Sequence, residues 1–174
     1  MPEGIVIIGG GFAGFWAAVA AKRVAGDRAD VTLVSRTPTL EIRPRLYEAN
    51  PETLGVDLRP LLERIDVAFE QAEATSLDGS VVVLGDGRRL PFARLVLATG
   101  SVMPRPPVPG AELAHSIDTQ AEAIAFDERL AELAKKRAPH IIVIGAGFTG
   151  IELALELRDR VAAHGGDGEA LQIT

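Results

Sequence analysis

The chain has 174 residues, 47% hydrophobic and 24% charged, with a net charge of −6; that is a soluble globular profile, long enough for one domain or for one and part of another. No clustered basic stripe is present, which sets aside a nucleic-acid partner, and there is no cysteine, which excludes a disulfide scaffold, a cysteine-ligated zinc and thiol catalysis. Aromatics at 5% beside 18 glycines fit a fold with many tight turns near phosphates better than an aromatic-rich core.

The apolar stretch Ile5 to Ala21 imitates a signal peptide, but Glu3 leads it without a Lys or Arg, and Gly9, Gly10, Gly11 and Gly14 interrupt it. It also falls short of the roughly 20 unbroken apolar residues of a membrane span, so a soluble, cytoplasmic chain is expected. Ile5 to Ile8 is a β-branched run ending at glycines and predicts a buried strand. Phe12 to Val24 is alanine-rich with Lys22 and Arg23 near its end, which predicts a helix broken at Gly26-Asp27. Val31 to Val34 predicts a second buried strand, closing a βαβ unit. Residues 36–64 read as irregular, ending in a short helix from Leu58 to Ile65.

From Val67 the chain reads as strands: VAFEQAEATSLD, SVVVLGDG and RRLPFARLVLATG, separated by Asp78-Gly79 and Asp86-Gly87. Asp-Gly between strand-like runs is a strong hairpin signal. A three-stranded antiparallel meander is expected, returning to the main sheet through Leu95 to Ala98. SVMPRPPVPG, with four prolines in ten residues, is an extended linker. Residues 119–137 predict a polar helix with little sign of a deeply buried face, and Trp16 is expected in the helix-to-sheet core. A strand, turn and helix from Ile141 to about Ala163 follow, then the loop HGGDGEA and a strand beginning at LQIT.

The last strand–turn–helix repeats the first. Gly9 superimposes on Gly145, Gly11 on Gly147, Phe12 on Phe148 and Gly14 on Gly150. Each copy is G-x-G-x-x-G: the first glycine permits the tight turn, the second lets a pyrophosphate approach the backbone, and the third lets helix and strand pack closely. The helix N-terminus then offers N–H groups and a positive dipole end to the anion. One copy alone could be an ordinary glycine-rich turn; two copies in strand-then-helix context point to two dinucleotides, one cofactor relaying electrons to the other.

In order, IVIIGGGFAG, EIRPRLYEA, RLVLATGS and IIVIGAGFTGIELA resemble the two-dinucleotide-binding-domain flavoproteins, closest to the type II NADH dehydrogenase-like branch. The resemblance implies an α/β fold: a Rossmann-like FAD-binding domain with its meander over 1–101, the proline-rich linker over 102–118, and the start of a Rossmann-like NAD(P)-binding domain over 119–174. It implies that Gly9, Gly11, Phe12, Ala13 and Gly14 bind the FAD pyrophosphate, with Thr99 and Gly100 beside the FAD. It places Arg43, Pro44 and Leu46 near the isoalloxazine and Ala74 near the adenine. Gly145, Gly147, Phe148, Thr149 and Gly150 would hold NAD(P)H, with Glu152 toward the nicotinamide. Where the family carries an acidic residue for the ribose, this chain has Ser35 followed by Arg36, and LQIT stops before the residue that chooses NADH over NADPH.

The activity implied is hydride transfer from NAD(P)H to flavin and onward to a quinone or other small acceptor, in a protein extending beyond Thr174 through a returning FAD segment and a C-terminal domain. Any membrane contact would be peripheral and through that missing part. The rival readings are a non-catalytic dinucleotide-binding fragment and a ferredoxin reductase-type enzyme with a protein acceptor, although that type usually has RPPLS where this chain has Arg43-Pro-Arg-Leu-Tyr47. The sheet edge at LQIT could pair two copies as a homodimer. Blander readings also stand: Arg43 and Arg45 in a solvated loop, Glu48 at the surface, and Glu152 simply favoured by the helix dipole. His115, His140 and His164 lack ligand spacing, so no metal is expected.

Overall fold

The structure is a computed structural model and describes residues 3–105 and 107–174. Pro106, inside the predicted linker, lies outside the described residues. The chain divides into two compact units, Met1–Leu40 with Val56–Ser101, and Glu41–Gly55 with Val102–Thr174. Residues 102–118 go with the second unit, and so do residues 41–55.

The elements run β1 (Glu3–Ile8), α1 (Phe12–Ala25), β2 (Ala29–Ser35), β3 (Thr39–Glu41), β4 (Gly55–Asp57), α2 (Leu58–Glu63) and β5 (Ala68–Gln71). There follow β6 (Ala74–Asp78), β7 (Val81–Leu84), β8 (Arg89–Pro91), β9 (Arg94–Leu97), α3 (Gln120–Ala134), β10 (His140–Ile141), α4 (Phe148–Ala163) and β11 (Gln172–Ile173). The βαβ unit, the meander and the second strand–turn–helix read from the sequence are all present, in an α/β architecture.

The first unit is built on a parallel sheet in the order β5-β2-β1-β9. Ile5 pairs in register with Val31 and with Arg94. Side chains alternate faces along a strand, and β1 is apolar at every step from Ile5 to Ile8 because both faces are covered. Ile7, Val31 and Leu33 pack with Ala18 of α1 and with Leu58 and Leu62 of α2. On the other face Val6 and Val34 pack with Val82 and Leu84 of the meander. The meander turns at the expected Asp-Gly pairs, where Gly79 and Gly87 take φ of 58° and 84°.

Two details of this unit differ from expectation. VAFEQAEATSLD is not one strand: β5 joins the parallel sheet beside β2, the Ala72 amide donates to Ser35 O at 2.9 Å, and only then does β6 begin the meander. Trp16 is not in the core but 61% exposed. The helix turns Gly14 and Ala18 to the inside, the small residues that allow close approach. Trp16 lies on the other side, edge-on to Phe15 at 5.5 Å. As the chain's one tryptophan, it is expected to show red-shifted emission that acrylamide quenches almost as freely as a model indole; a blue-shifted, protected emission would contradict this placement.

In the second unit β10 and β11 pair in parallel, His140 with Gln172 and Ile141 with Ile173. The strand is shorter than Ile141–Ile144 suggested: the ladder ends with Val143 N donating to Thr174 O, and Ile144 is 75% exposed. Helix α3 is capped by the reciprocal Thr119–Glu122 box. Contrary to the expectation of little buried face, it buries Ala123, Leu130 and Ala134 on one stripe, and Leu130 and Ala134 share a core with Leu157, Val161 and Leu171. The two alanines make that stripe inconspicuous in sequence. Residues 41–55 contribute Leu46 and Leu54 to a neighbouring core with Ile117 and Ala123.

Asp127 of α3 accepts from Arg160 at 2.6 Å and pairs with His164 at 3.2 Å. Burial alone would push its carboxyl up, but the Arg160 and His164 hydrogen bonds outweigh it and hold the group below its ordinary 3.8. A lowered folded value means a contribution present above the unfolded value and lost as pH falls through the folded one. The second unit should therefore lose stability below about pH 3.8. Urea melts between pH 5 and 3 should show this loss in the parent chain and a flatter profile in Asp127→Asn; parallel profiles would contradict it.

Candidate functional site

Each unit carries one glycine turn between a strand and a helix. In the first, the Gly9 amide donates to Val34 O at 2.8 Å and its φ is 121°, a region L side chains rarely adopt. A Cβ there would run into the Ala98 carbonyl of the strand end after β9, and a Cβ on Gly14 would overlap the Gly9 carbonyl oxygen. A Cβ on Gly11, by contrast, would meet nothing within 4 Å. Gly11 caps α1 with no side-chain hydrogen bond, and the first turn holds no acidic residue. The amides at the start of α1 thus have neither a side-chain acceptor nor a competing carboxylate, an arrangement that takes phosphate.

The second unit repeats these relations at Gly145, Gly147 and Gly150. Gly145 has φ 122°, a Cβ on Gly150 would overlap Gly145 O, and a Cβ on Gly147 would meet nothing within 4 Å. Helix α4 is likewise uncapped by any side chain and free of acid in its first turn. A Cβ on Gly145, unlike one on Gly9, meets no described neighbour within 4 Å.

This turn opens on a cleft of about 680 Å³, lined by Gly145, Gly147, Phe148, Thr149 and Gly150, by residues 113–117, and by α3. Arg129 and Lys136 contribute cations and Phe126, Leu130 and Leu133 the apolar wall. The size falls in the range of cofactor sites. The open glycines, uncapped helix starts and basic lining fit pyrophosphate-bearing nucleotides.

The other predicted site residues fall into three groups. Ser35 lies beside the first turn: a Cβ on Gly10 would press on the Ser35 hydroxyl, and the Thr99 amide lies 3.2 Å from where a Gly9 Cβ would be. Gly10 is therefore a required glycine that the sequence motif does not name. Arg36 adjoins Ser35 and its carbonyl accepts from Gln71 at 3.4 Å; Gly100, with φ 70°, follows Thr99. Phe12 and Ala13 begin α1. Ala74 starts β6 and packs on the cluster around Val6 and Val34.

Arg43, Pro44 and Leu46 form a turn in the second unit. Arg43 is not simply solvated: it pairs with the Asp118 carboxylate and donates from Nε to Asp118 O at 2.9 Å. Leu46 is 1% exposed and fills the core. Arg45 pairs with Glu48 at 2.6 Å. Glu152 follows Gly150 by two residues. Tyr47 lies within its field: the phenol is pushed up by burial first, then by Glu152, Glu48 and Glu156. Among the described residues no group of three potential metal ligands occurs; His115 and His140 line the cleft.

Sequence reasoning passed over Arg160, the one charged side chain buried among the described residues. The signal was there: it sits next to Val161 and three residues after Leu157, on the buried stripe of α4.

Residues 3–164 match the family described as pyridine nucleotide-disulphide oxidoreductase. An NADH dehydrogenase-like protein of Mycobacterium tuberculosis is 39% identical over 172 residues, covering 91% of this chain and 43% of that protein. A demethylphylloquinone reductase of Synechocystis is 30% identical over 178 residues, covering 92% and 44%. The crystal structure of a sulfide:quinone oxidoreductase from Aquifex aeolicus superimposes with a TM-score of 0.83 at 25% identity, covering 97% of this chain and 42% of that one. The chain thus spans less than half the length of these relatives.

Proposed function

Because the chain belongs to the pyridine nucleotide-disulphide oxidoreductase family, we propose that it is the cofactor-binding part of an FAD-dependent NAD(P)H oxidoreductase whose electrons pass to a quinone or similar small acceptor. One observation carries the reading: two glycine turns of the same geometry, each with an open middle glycine and an uncapped, acid-free helix start. FAD is assigned to the turn at Gly9–Gly14 and NAD(P)H to the cleft at Gly145–Gly150. FAD held at the first turn would supply two-electron redox chemistry, with NAD(P)H as the hydride donor.

The chain's own residues bind and orient. Amides at the starts of α1 and α4 hold the pyrophosphates, and Gly11 and Gly147 admit them. Ser35, at the end of β2, offers one hydroxyl where a carboxylate would make two bonds, and Arg36 adds a cation beside it. Thr99 and Gly100 flank the first turn. Glu152, two residues after Gly150 on α4, is assigned to the nicotinamide end. The mycobacterial and cyanobacterial relatives carry NADH dehydrogenase and quinone reductase names, which supports a quinone acceptor. No helix among the described residues is long and apolar enough to cross a membrane.

A binding-only role for these 174 residues is the second reading, supported by the 43% share of the mycobacterial relative that they match. The purified chain should carry a flavin absorption spectrum, with FAD released and identified by mass, and should bind NADH. A colourless chain that stays colourless after incubation with FAD would sink the assignment of the first turn. Binding of both nucleotides without NADH oxidation would favour the binding-only reading.

A further inference from the structure

Arg160 carries a buried, charged side chain outside both glycine turns. It is 2% exposed, and its guanidinium has three partners from two other elements. Nη1 donates to Tyr47 O at 2.9 Å, Nη2 donates to Asp127 Oδ1 at 2.6 Å, and the guanidinium carbon lies 5.2 Å over the Phe126 ring. Its Nε is buried without a partner. Burying a guanidinium and leaving one N–H unsatisfied is a poor route to stability, since desolvation offsets most of what pairing returns. An apolar side chain on the Leu157–Val161 stripe would fill the same space more favourably. What an apolar residue could not do is hold a particular carbonyl in a particular place.

That carbonyl belongs to Tyr47, at the end of the Arg43–Tyr47 turn. The turn's other end is held by Arg43 on Asp118. Between them Leu46 anchors it in the core. The elements gripped by Arg160 reach the nucleotide cleft: Phe126, under its guanidinium, lines the cleft, and so does Leu153, which packs on the same core as Tyr47. Tyr47 also shares an electrostatic neighbourhood with Glu152 and Glu156 of α4 and with its own neighbours Glu48 and Arg45.

We propose that Arg160 is a positioning residue for the pyridine-nucleotide site: through the Tyr47 carbonyl it locks the Arg43–Tyr47 turn onto α3 and α4, and so steadies Phe126 and Leu153, which share a core with Tyr47 and line the cleft of the second glycine turn. This rests on the reading of that cleft as the NAD(P)H site.

Tyr47 is the only tyrosine in the chain, so phenolate absorbance titrates this one group. In the parent chain it should ionise above the ordinary 10.0. In Arg160→Met, with helical circular dichroism unchanged, the turn is released and the phenol should return toward 10.0, while the NADH dissociation constant rises about fivefold or more. Arg160→Lys, which keeps a donor for the Tyr47 carbonyl, should fall between the two. A folded Arg160→Met with the parent phenol titration overturns the positioning role. A shifted phenol with unchanged NADH affinity overturns its link to the cleft. A parent chain that binds no NADH overturns the reading of the cleft instead, and the phenol titration still decides whether Arg160 holds the turn. If Arg160→Met does not fold, Asp127→Asn, which loosens one anchor and leaves Arg160 in place, should move the phenol the same way by less; no movement overturns the proposal.

Discussion

Gly14→Ala is expected to cost the first unit about 3 kcal/mol, the upper end of the overpacking range, and to lower its melting temperature by roughly 10–20 °C. The new methyl would sit inside the contact distance of the Gly9 carbonyl oxygen. Neither partner can give way easily, because both are backbone. Gly9 is tied by its amide to Val34 O at 2.8 Å and backed by the Ala98 carbonyl, while Gly14 is the buried, sheet-facing residue of the first turn of α1. Relief would require α1 to lift from the sheet, opening the cluster around Ile7, Ala18 and Leu33. Against a total stability on the order of 5–15 kcal/mol, that is a large fraction. Gly11→Ala is the control. Its Cβ meets nothing within 4 Å and its φ of −79° suits any residue, so with FAD removed from both chains its melting loss should stay below about 1 kcal/mol, the scale of an altered N-cap. Thermal melts followed by circular dichroism decide the matter. A Gly14→Ala chain melting within a degree or two of the parent would mean that the helix and strand are not packed as described.

That contrast was half legible in the sequence. The spacing of Gly9, Gly11 and Gly14 after Ile5–Ile8 names the turn because its causes are local: a β-branched strand, a positive φ, and a helix that must approach closely. The Asp-Gly turns of the meander were legible for the same reason. Three features were not, and each depends on a residue distant in sequence. Gly10 is required because Ser35, at the end of another strand, presses on it. Trp16 faces solvent because α1 turns its small residues to the sheet, a choice that composition does not reveal. Residues 41–55 belong to the second unit because of contacts made 69 to 113 positions away: the Gln120 side chain on Pro51 O, Arg43 on Asp118, and Arg160 on Tyr47 O. A motif reading keeps that segment with its neighbours in sequence. Its polar staples assign it to the helices of the second glycine turn, and the predicted site residues Arg43 and Leu46 go with it.

Gly147→Val should leave the chain folded and remove NADH binding. The glycine has φ −79° and ψ 176°, an extended conformation that a β-branched residue adopts without strain, and its Cβ would meet no atom within 4 Å. The melting temperature should therefore stay close to the parent's. The space the isopropyl group occupies is the approach to the uncapped amides of α4, which is where a pyrophosphate must come to take their hydrogen bonds. Holding the phosphates off by even one carbon layer forfeits several charge-assisted hydrogen bonds, and a loss of about 3 kcal/mol corresponds to a dissociation constant some hundredfold higher. Equilibrium titration with NADH measures it. Gly11→Val is the reciprocal variant: it should bind NADH normally and fail to retain FAD, because its turn lies in the other unit. If both substitutions weaken the same nucleotide and spare the other, the assignment of one dinucleotide to each turn is wrong. If Gly147→Val binds NADH as the parent does, the cleft beside it is not the pyridine-nucleotide site.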